Sequence, residues 1–489
     1  MMRSLYSAVS GLKTHQTKMD VIGNNIANVN TEAFKASSVR FSEIMYQTTS
    51  SASSGNGAAG TGGKNAKQIG LGVTTGSTTV SITTSGSAET TGNPFDLKLT
   101  DKNSTNFFVV SDGTSTFFTR AGDFYVDGNG YLCMSSTGYT GWQVDANGNV
   151  IVDSVSPLQV MSPQNQTSAP ESTTLAYVSG IIDKNDTNAN DNAVGRTITL
   201  GLFDDLGYKY TAKFNITKNA ADGEYTVKLT DILSSGTSTT AKSIFELDAD
   251  GNFVTTDANG NTGDVVYNGR AYKLDDLFNA ATLKFDETDG TFNYIRNANT
   301  AAADAATNKE VTLNLGLLRT EDTVNAAAPE SNFSNITMNW SSARNYNNSG
   351  TSTIAATNGN IQGLGTGKAL GALTGISING DGTIYGSYDN GNTVCLGQIA
   401  VAQFANASGL EKVGENCYQT TLNSGEFDGV GVAIDADGSS MESGVLEMSN
   451  VDLSGQFTDM IITQRGFQAN SRVITTSDTL LEELINLKR

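Results

Sequence analysis

The sequence predicts a mainly β, multidomain protein with α-helical, coiled-coil termini. Three observations carry that prediction. Apolar residues recur at every seventh position near both ends of the chain. Between the ends, short apolar runs alternate with Asp-Gly and Asn-Gly dipeptides. The composition, 52 Gly against 5 Pro with 38% hydrophobic residues, is that of β modules with many turns.

The helical ends come first. Leu453, Met460, Phe467, Ile474 and Leu481 stand seven apart. On a helix such residues lie almost above one another and form one apolar stripe with coiled-coil spacing. The companion series, Phe457, Gln464, Ser471, Asp478 and Ile485, is apolar only at its two ends. Ser449-x-x-Asp452 marks a helix start. Asp452 and Asp459 early, with Lys488 and Arg489 late, complement the macrodipole. A helix over residues 453–488 would be roughly 54 Å long, and its stripe needs a partner. At the other end, Leu5, Leu12, Met19 and Ile26 repeat at seven, with Met2, Val9 and Gln16 on the companion positions. The two ends are therefore expected to lie along each other.

A buried seam side chain contributes about 1.5–3 kcal/mol, while ordering costs about 1–2 kcal/mol per residue. Two helices with narrow stripes barely break even alone. The expectation is that they order fully when many copies pack together, as a polymerisation element. A hairpin that merely closes one molecule is the plainer alternative.

The chain has 489 residues and a net charge of −20, with a pI near 4.4. That sign repels nucleic acid and anionic lipid, so neither is an expected partner. Cys133, Cys395 and Cys417 are an odd number without metal-like spacing and suggest no disulfide framework. Residues 1–27 lack the apolar core of a signal peptide, and no run of eighteen apolar residues is available to insert into a membrane.

After the first helix comes Asn24-Asn25-Ile26-Ala27-Asn28, followed by Thr31-Glu32-Ala33-Phe34-Lys35. Asn suits a helix end, because it tolerates the left-handed cap and competes for backbone hydrogen bonds. Residues 48–68 are almost wholly Thr, Ser, Gly, Ala and Asn and read as a linker. From Gly92 the pattern is strongly β: Phe107-Phe108-Val109-Val110, then Phe118-Thr119-Arg120-Ala121-Gly122-Asp123-Phe124, then Asp127-Gly128-Asn129-Gly130-Tyr131-Leu132. Strand-like runs continue at 196–203, 208–216, 310–317 and 333–340, with hairpins at 245–253 and 283–292. Further runs follow at 373–388, 399–404 and 409–414. The chain closes with Glu447-Met448-Ser449-Asn450-Val451-Asp452 and Gln464-Arg465-Gly466-Phe467.

The Asn-Asn-Ile-Ala-Asn segment, the Thr-Arg-Ala-Gly-Asp-Phe segment and the closing segments together resemble the rod and hook proteins of the bacterial flagellum. The likeness covers roughly residues 1–165 and the last 130. In that family Thr-Pro-Gly-Phe-Lys or Thr-Thr-Gly-Phe-Lys usually follows the first signature. This chain has Glu32-Ala33 there, which leaves room for a helix running on through Phe34, Phe41 and Met45.

The resemblance implies nested domains, each assembled from both halves of the chain. These are a terminal helical domain (1–40 with 446–489), a connecting arm (41–91), an inner β-domain (92–165 with 366–445) and an outer block (166–365) with a nested module at about 230–310. It also implies a structural, non-enzymatic subunit of an extracellular helical tube that bends and transmits torque. The long middle block favours the hook branch over the distal rod. Implied partners are further copies of the chain, the distal rod, hook cap and hook–filament junction proteins, and the type III export apparatus, through which the chain would pass with no cleaved signal. A secreted β-rich adhesin is the alternative from another class.

No catalytic site, cofactor or metal is expected. His15 is the sole histidine and falls on a polar part of the first helix, so no Ser/His/Asp triad is available. The Asp-rich stretches at 183–186, 248–252 and 145–149 lack the Gly and Glu of a calcium loop and read as β-turns.

Overall fold

The computed structural model describes residues 2–55, 60, 62–134, 137–145, 149–190, 194–235, 241–297, 308–319 and 331–487. The chain divides into two compact units, one of residues 1–166, 375–387 and 393–489, the other of 167–374 and 388–392.

The first unit begins with the helix Met2–Ala27 and ends with the helix Leu453–Asn486. Asp452 caps the second, its carboxylate accepting from the Ser454 N–H at 3.0 Å, while Ser449 Oγ accepts from Val451 N. Lys488 and Arg489 lie outside the described residues. The first helix does not run on past the Asn cluster. Ala33 adopts a left-handed φ of 53°, and Ser37–Glu43 is a strand rather than a helical turn. The stretch read as a linker, 48–68, is paired at both its ends. Ser37–Glu43 pairs antiparallel with Val73–Val80, and Tyr46–Ser50 with Lys67–Gly70, to make a two-stranded ribbon. Such a ribbon is marginal in water by itself. Its apolar residues Phe41, Ile44, Met45, Tyr46 and Ile69 are all exposed.

Strands from both halves of the chain then share one sheet. Its order is Glu411–Gly414, Cys417–Gln419, Thr116–Thr119, Asn106–Ser111, Thr137–Gly141, Leu132–Met134, Tyr125–Val126, with Val401–Gln403 also paired to Asn106–Ser111. Within Asn106–Ser111 the apolar run Phe107-Phe108-Val109-Val110 is buried throughout, because both faces of the strand are covered. Phe108 and Val110 join one core with Leu97, Leu132, Ile384 and Ile399, while Phe107 and Val109 join another with Phe118, Leu410 and Tyr418. Cys417 is a small buried member of the first core. Outside the sheet, Ser440–Ser443 pairs with Leu97–Thr100 and Val445–Glu447 with Ala88–Thr90.

The second unit is a β structure whose two larger sheets enclose one core. The larger runs Arg196–Phe203, Lys209–Lys218, Glu224–Ser234, Ala281–Phe285, Phe292–Asn297. The smaller runs Glu310–Leu313, Ile336–Tyr346, Leu175–Asp183, Ala355–Asn358, with Ile336–Tyr346 and Leu175–Asp183 parallel. Leu200, Phe214, Val227, Leu283, Met338 and Trp340 belong to a single apolar cluster. The nested module expected at 230–310 does not stand apart. Glu224–Ser234 lies between Lys209–Lys218 and Ala281–Phe285, and Phe245, Val265 and Phe278 fill the same core. The hydrophobic pattern of that stretch is completed by strands outside it.

The Asp-rich stretches turn their carboxylates onto their own loops. Asp248 Oδ1 accepts from Asp250 N and Asn252 N, at 2.9 and 2.8 Å, and these bonds hold its pKa below the ordinary carboxylate value. Asp183, read as part of a turn, accepts from Asn185 N but also from Gly350 N far along the chain. Of the stretch at 145–149, residues 146–148 lie outside the described residues.

Candidate assembly surface and the joint beneath it

The two terminal helices pack side by side and antiparallel. Asn25 Nδ2 donates to Gln456 Oε1 at 3.1 Å, and Lys18 pairs with Asp459 at 3.3 Å. A methyl group on Gly466 would come within 2.7 Å of the His15 ring, and one on Gly11 within 2.7 Å of Asn470 Nδ2. His15 therefore sits in the seam and not on the solvent face. Its ring also meets Phe41 edge-on at 5.5 Å. Burial and then the Lys18 charge hold its pKa below the ordinary imidazole value.

The seam is not formed by the apolar stripes. The buried residues of the first helix are Ala8, Gly11, Thr14, Ile22 and Asn25, and those of the second are Thr463 and Ser477. On the second helix the companion series lies one position from where the heptads place it. Gln456, Thr463, Asn470 and Ser477 turn inward, while Phe457, Gln464, Ser471, Asp478 and Ile485 are exposed. Small and polar residues let two backbones approach closely, and that sets the seam. The apolar series lie along its flank. Leu5, Leu12, Met19 and Ile26 are half-buried, as are Met460, Phe467, Ile474 and Leu481, and Leu453 is exposed. Further apolar side chains on the second helix face away from the seam, among them Ile461, Ile462, Leu480 and Leu484 at 48–60% exposure. So many exposed apolar side chains on one helix suit an interaction surface.

Beneath the hairpin lies a joint of buried charges. Glu447 Oε1 accepts from Lys35 Nζ at 2.7 Å, Gly86 N at 2.9 Å and Ser85 Oγ at 3.2 Å. Its Oε2 accepts from Arg120 Nε at 3.1 Å. Arg120 donates onward to Asp101 Oδ2 and to the Asn106 carbonyl, each at 2.7 Å, and Lys35 to the Thr84 carbonyl at 2.8 Å. Burial alone would raise Glu447, but the Arg120 and then the Lys35 charges outweigh it and hold its carboxyl below the ordinary value. Lys35 is drawn below the usual lysine range by burial, which Glu447 only partly offsets.

The signature residues thus have separate tasks. Asn24 receives the Asn28 side chain at the end of the helix that Ala27 closes, with Ile26 half-buried beside it. Asn25, expected only to suit a helix end, is 1% exposed and also bonds Ser37 through both its amide atoms. Phe34 is buried beneath Lys412, whose ammonium lies 4.5 Å from the ring centre. Ala121 is buried, and Gly122 passes so close to Leu97 that a methyl would fall 1.8 Å from its carbonyl oxygen. Gln464 and Arg465 are exposed on the second helix.

Ala33, 1% exposed, donates its N–H to the Glu447 carbonyl at 2.7 Å. A left-handed conformation costs a residue with a Cβ about 1–2 kcal/mol, part of which glycine forfeits through its freer unfolded state. Ala33→Gly relieves that strain but also removes a methyl packed in the core with Leu97 and Leu132, worth about 0.8 kcal/mol, so the melting temperature of the full chain is expected to stay within about 4 °C of the parent.

Two sequence families cover the ends of the chain. The one described as flagella basal body rod protein matches residues 5–35, and the one described as flagellar basal body rod FlgEFG protein C-terminal matches residues 442–487. Over their full lengths the chain is 34% identical to the flagellar hook protein FlgE of Treponema pallidum and 33% identical to that of Borreliella burgdorferi. Its identity to the flagellar basal-body rod protein FlgG of Bacillus subtilis, also over all of both chains, is 26%.

Proposed function

The chain belongs to the flagellar hook protein family and is a structural subunit of the flagellar hook, and from that premise we propose that its terminal helical hairpin is the element through which copies polymerise. The observation that carries this reading is the division of labour on the helices. Small and polar residues close the hairpin within one chain, and this leaves the apolar flank around Leu5, Leu12, Met19, Ile26, Met460, Phe467, Ile474 and Leu481 open to further copies. The largely exposed strands Ser37–Glu43, Tyr46–Ser50, Lys67–Gly70 and Val73–Val80 add a second uncovered surface beside it.

In this reading the terminal domain (1–40 with 446–489) builds an inner helical sleeve, and the arm (41–91) lies between neighbours. The inner β-domain (92–165 with 366–445) forms a stiffer layer, while the acidic outer block (166–365) meets its neighbours weakly enough to slide as the tube bends. The tube would meet the distal rod at one end and the cap and junction proteins at the other. The chain would reach it through the type III export apparatus with no cleaved signal. No catalytic role belongs to this reading.

Purified protein is expected to form curved tubes of uniform width by electron microscopy. Phe467→Asp sets an unpaired charge on the half-buried flank and should abolish the tubes while leaving thermal melting unchanged. Tubes of normal width from that variant would refute the assignment.

A further inference from the structure

Four stretches distant in sequence meet in one buried hydrogen-bonded ion network around Glu447. They are Ala33 and Lys35 just after the first helix, Thr84 to Gly86 where the ribbon ends, Arg120 from the inner sheet, and Glu447 shortly before the Asp452 cap. The side chains of Lys35 and Glu447 are 0% exposed and that of Arg120 is 1% exposed. Two cations, Lys35 and Arg120, meet two anions, Glu447 and Asp101, so the group is neutral with all four present and loses that balance when any single one is removed.

The surroundings hold both chain exits tightly. Asn450 accepts from the Ala36 N–H at 2.8 Å and donates to the Ser81 and Thr84 carbonyls. At Gly86, a methyl would fall 1.8 Å from the Met448 carbonyl oxygen. Few residues separate Lys35 from the end of one helix, or Glu447 from the cap of the other. The direction in which both helices leave the β-layer is thus set at this carboxylate.

We propose that Glu447 is a positioning residue for assembly, which by balancing Lys35 and Arg120 holds the terminal hairpin in one orientation on the inner β-layer. The proposal rests on the hairpin being the polymerising element. A buried ion network adds little net stability, yet removing one member strands the others. The arrangement is therefore sensitive to charge balance more than to shape. It gives the hairpin a single seat where an apolar contact of the same area would tolerate several.

The test uses the full chain with Glu447→Gln, Lys35→Met and the two combined. Each single change leaves one uncompensated buried charge. The pair is balanced again, because Arg120 keeps Asp101 and the amide oxygen of the introduced glutamine can still accept from Gly86 and Ser85. Each single variant is expected to raise the critical concentration for polymerisation about tenfold or more and to speed tryptic cleavage at Arg40 in the monomer. The double variant should recover to within about threefold of wild type in both. A double variant no better than the singles, or Glu447→Gln assembling at the wild-type concentration, overturns the proposal. The proteolysis arm separates the two readings. If cleavage follows the expected pattern while wild-type protein makes no tubes, the polymerisation reading fails and the joint stands.

Discussion

Deleting residues 2–27 and 453–486 is expected to leave a soluble protein whose β units melt as in the parent but which builds no tubes at any concentration. The helices contribute little to the interior of the β units. Their own buried residues are few, and only Ala8 and Ile22 among them are apolar. What they remove from water in one chain falls short of the cost of ordering them, so their loss scarcely affects the remainder. The half-buried apolar flank and the exposed Ile461, Ile462, Leu480 and Leu484 disappear with them. The position of the cut matters. Removal of 1–40 and 446–489, the domain limits suggested by sequence, takes Lys35 and Glu447 together and opens the joint from which Arg120 hangs. The narrower cut keeps Lys35, Glu447 and Asn450 in place. Calorimetry and sedimentation of the truncated protein check both halves of the expectation, and pelletable tubes from it would show that the β units alone polymerise.

Trp340→Ala is expected to destabilise the second unit by about 3–5 kcal/mol, the cost of removing a large core side chain. Trp340 is 0% exposed and lies in the strand Ile336–Tyr346, within the apolar cluster shared by both sheets. Because this cluster belongs wholly to the second unit, the loss should appear as one transition moving to lower temperature while the other stays. Tubes should still assemble at low temperature, since the hairpin and the joint belong to the first unit. A uniform fall of all transitions would mean that the units unfold as one.

Much of the architecture is legible in the residues. The heptads near both ends, the Asn cluster that stops the first helix and the apolar run at 107–110 are local patterns, and each matches a helix, a helix end or a doubly covered strand. The seam register is not legible in the same way. Periodicity finds where apolar residues line up, whereas the packing of two helices follows the smallest side chains, here Gly11 against Asn470 and Gly466 against His15. The left-handed turn at Ala33 was signalled only by the glycine usual at that place in the resembled family, because alanine itself carries no bias toward positive φ, and the bond from its N–H to the Glu447 carbonyl holds the turn. The stretch at 48–68 is polar enough to read as linker, yet its two ends pair as the strands Tyr46–Ser50 and Lys67–Gly70, which composition alone does not encode.

By itself the sequence determined the class of the helical ends and of the β-rich blocks, the partnership of the two ends and the likeness that placed the chain among flagellar axial proteins, because these rest on periodicity and short motifs. Only the tertiary structure decided which face of the helices closes the hairpin and which stays open, and that Lys35 and Glu447, 412 residues apart, share one buried ion pair. The reason is that burial and charge balance are properties of groups brought together in space. No local stretch of the chain encodes the distance between them.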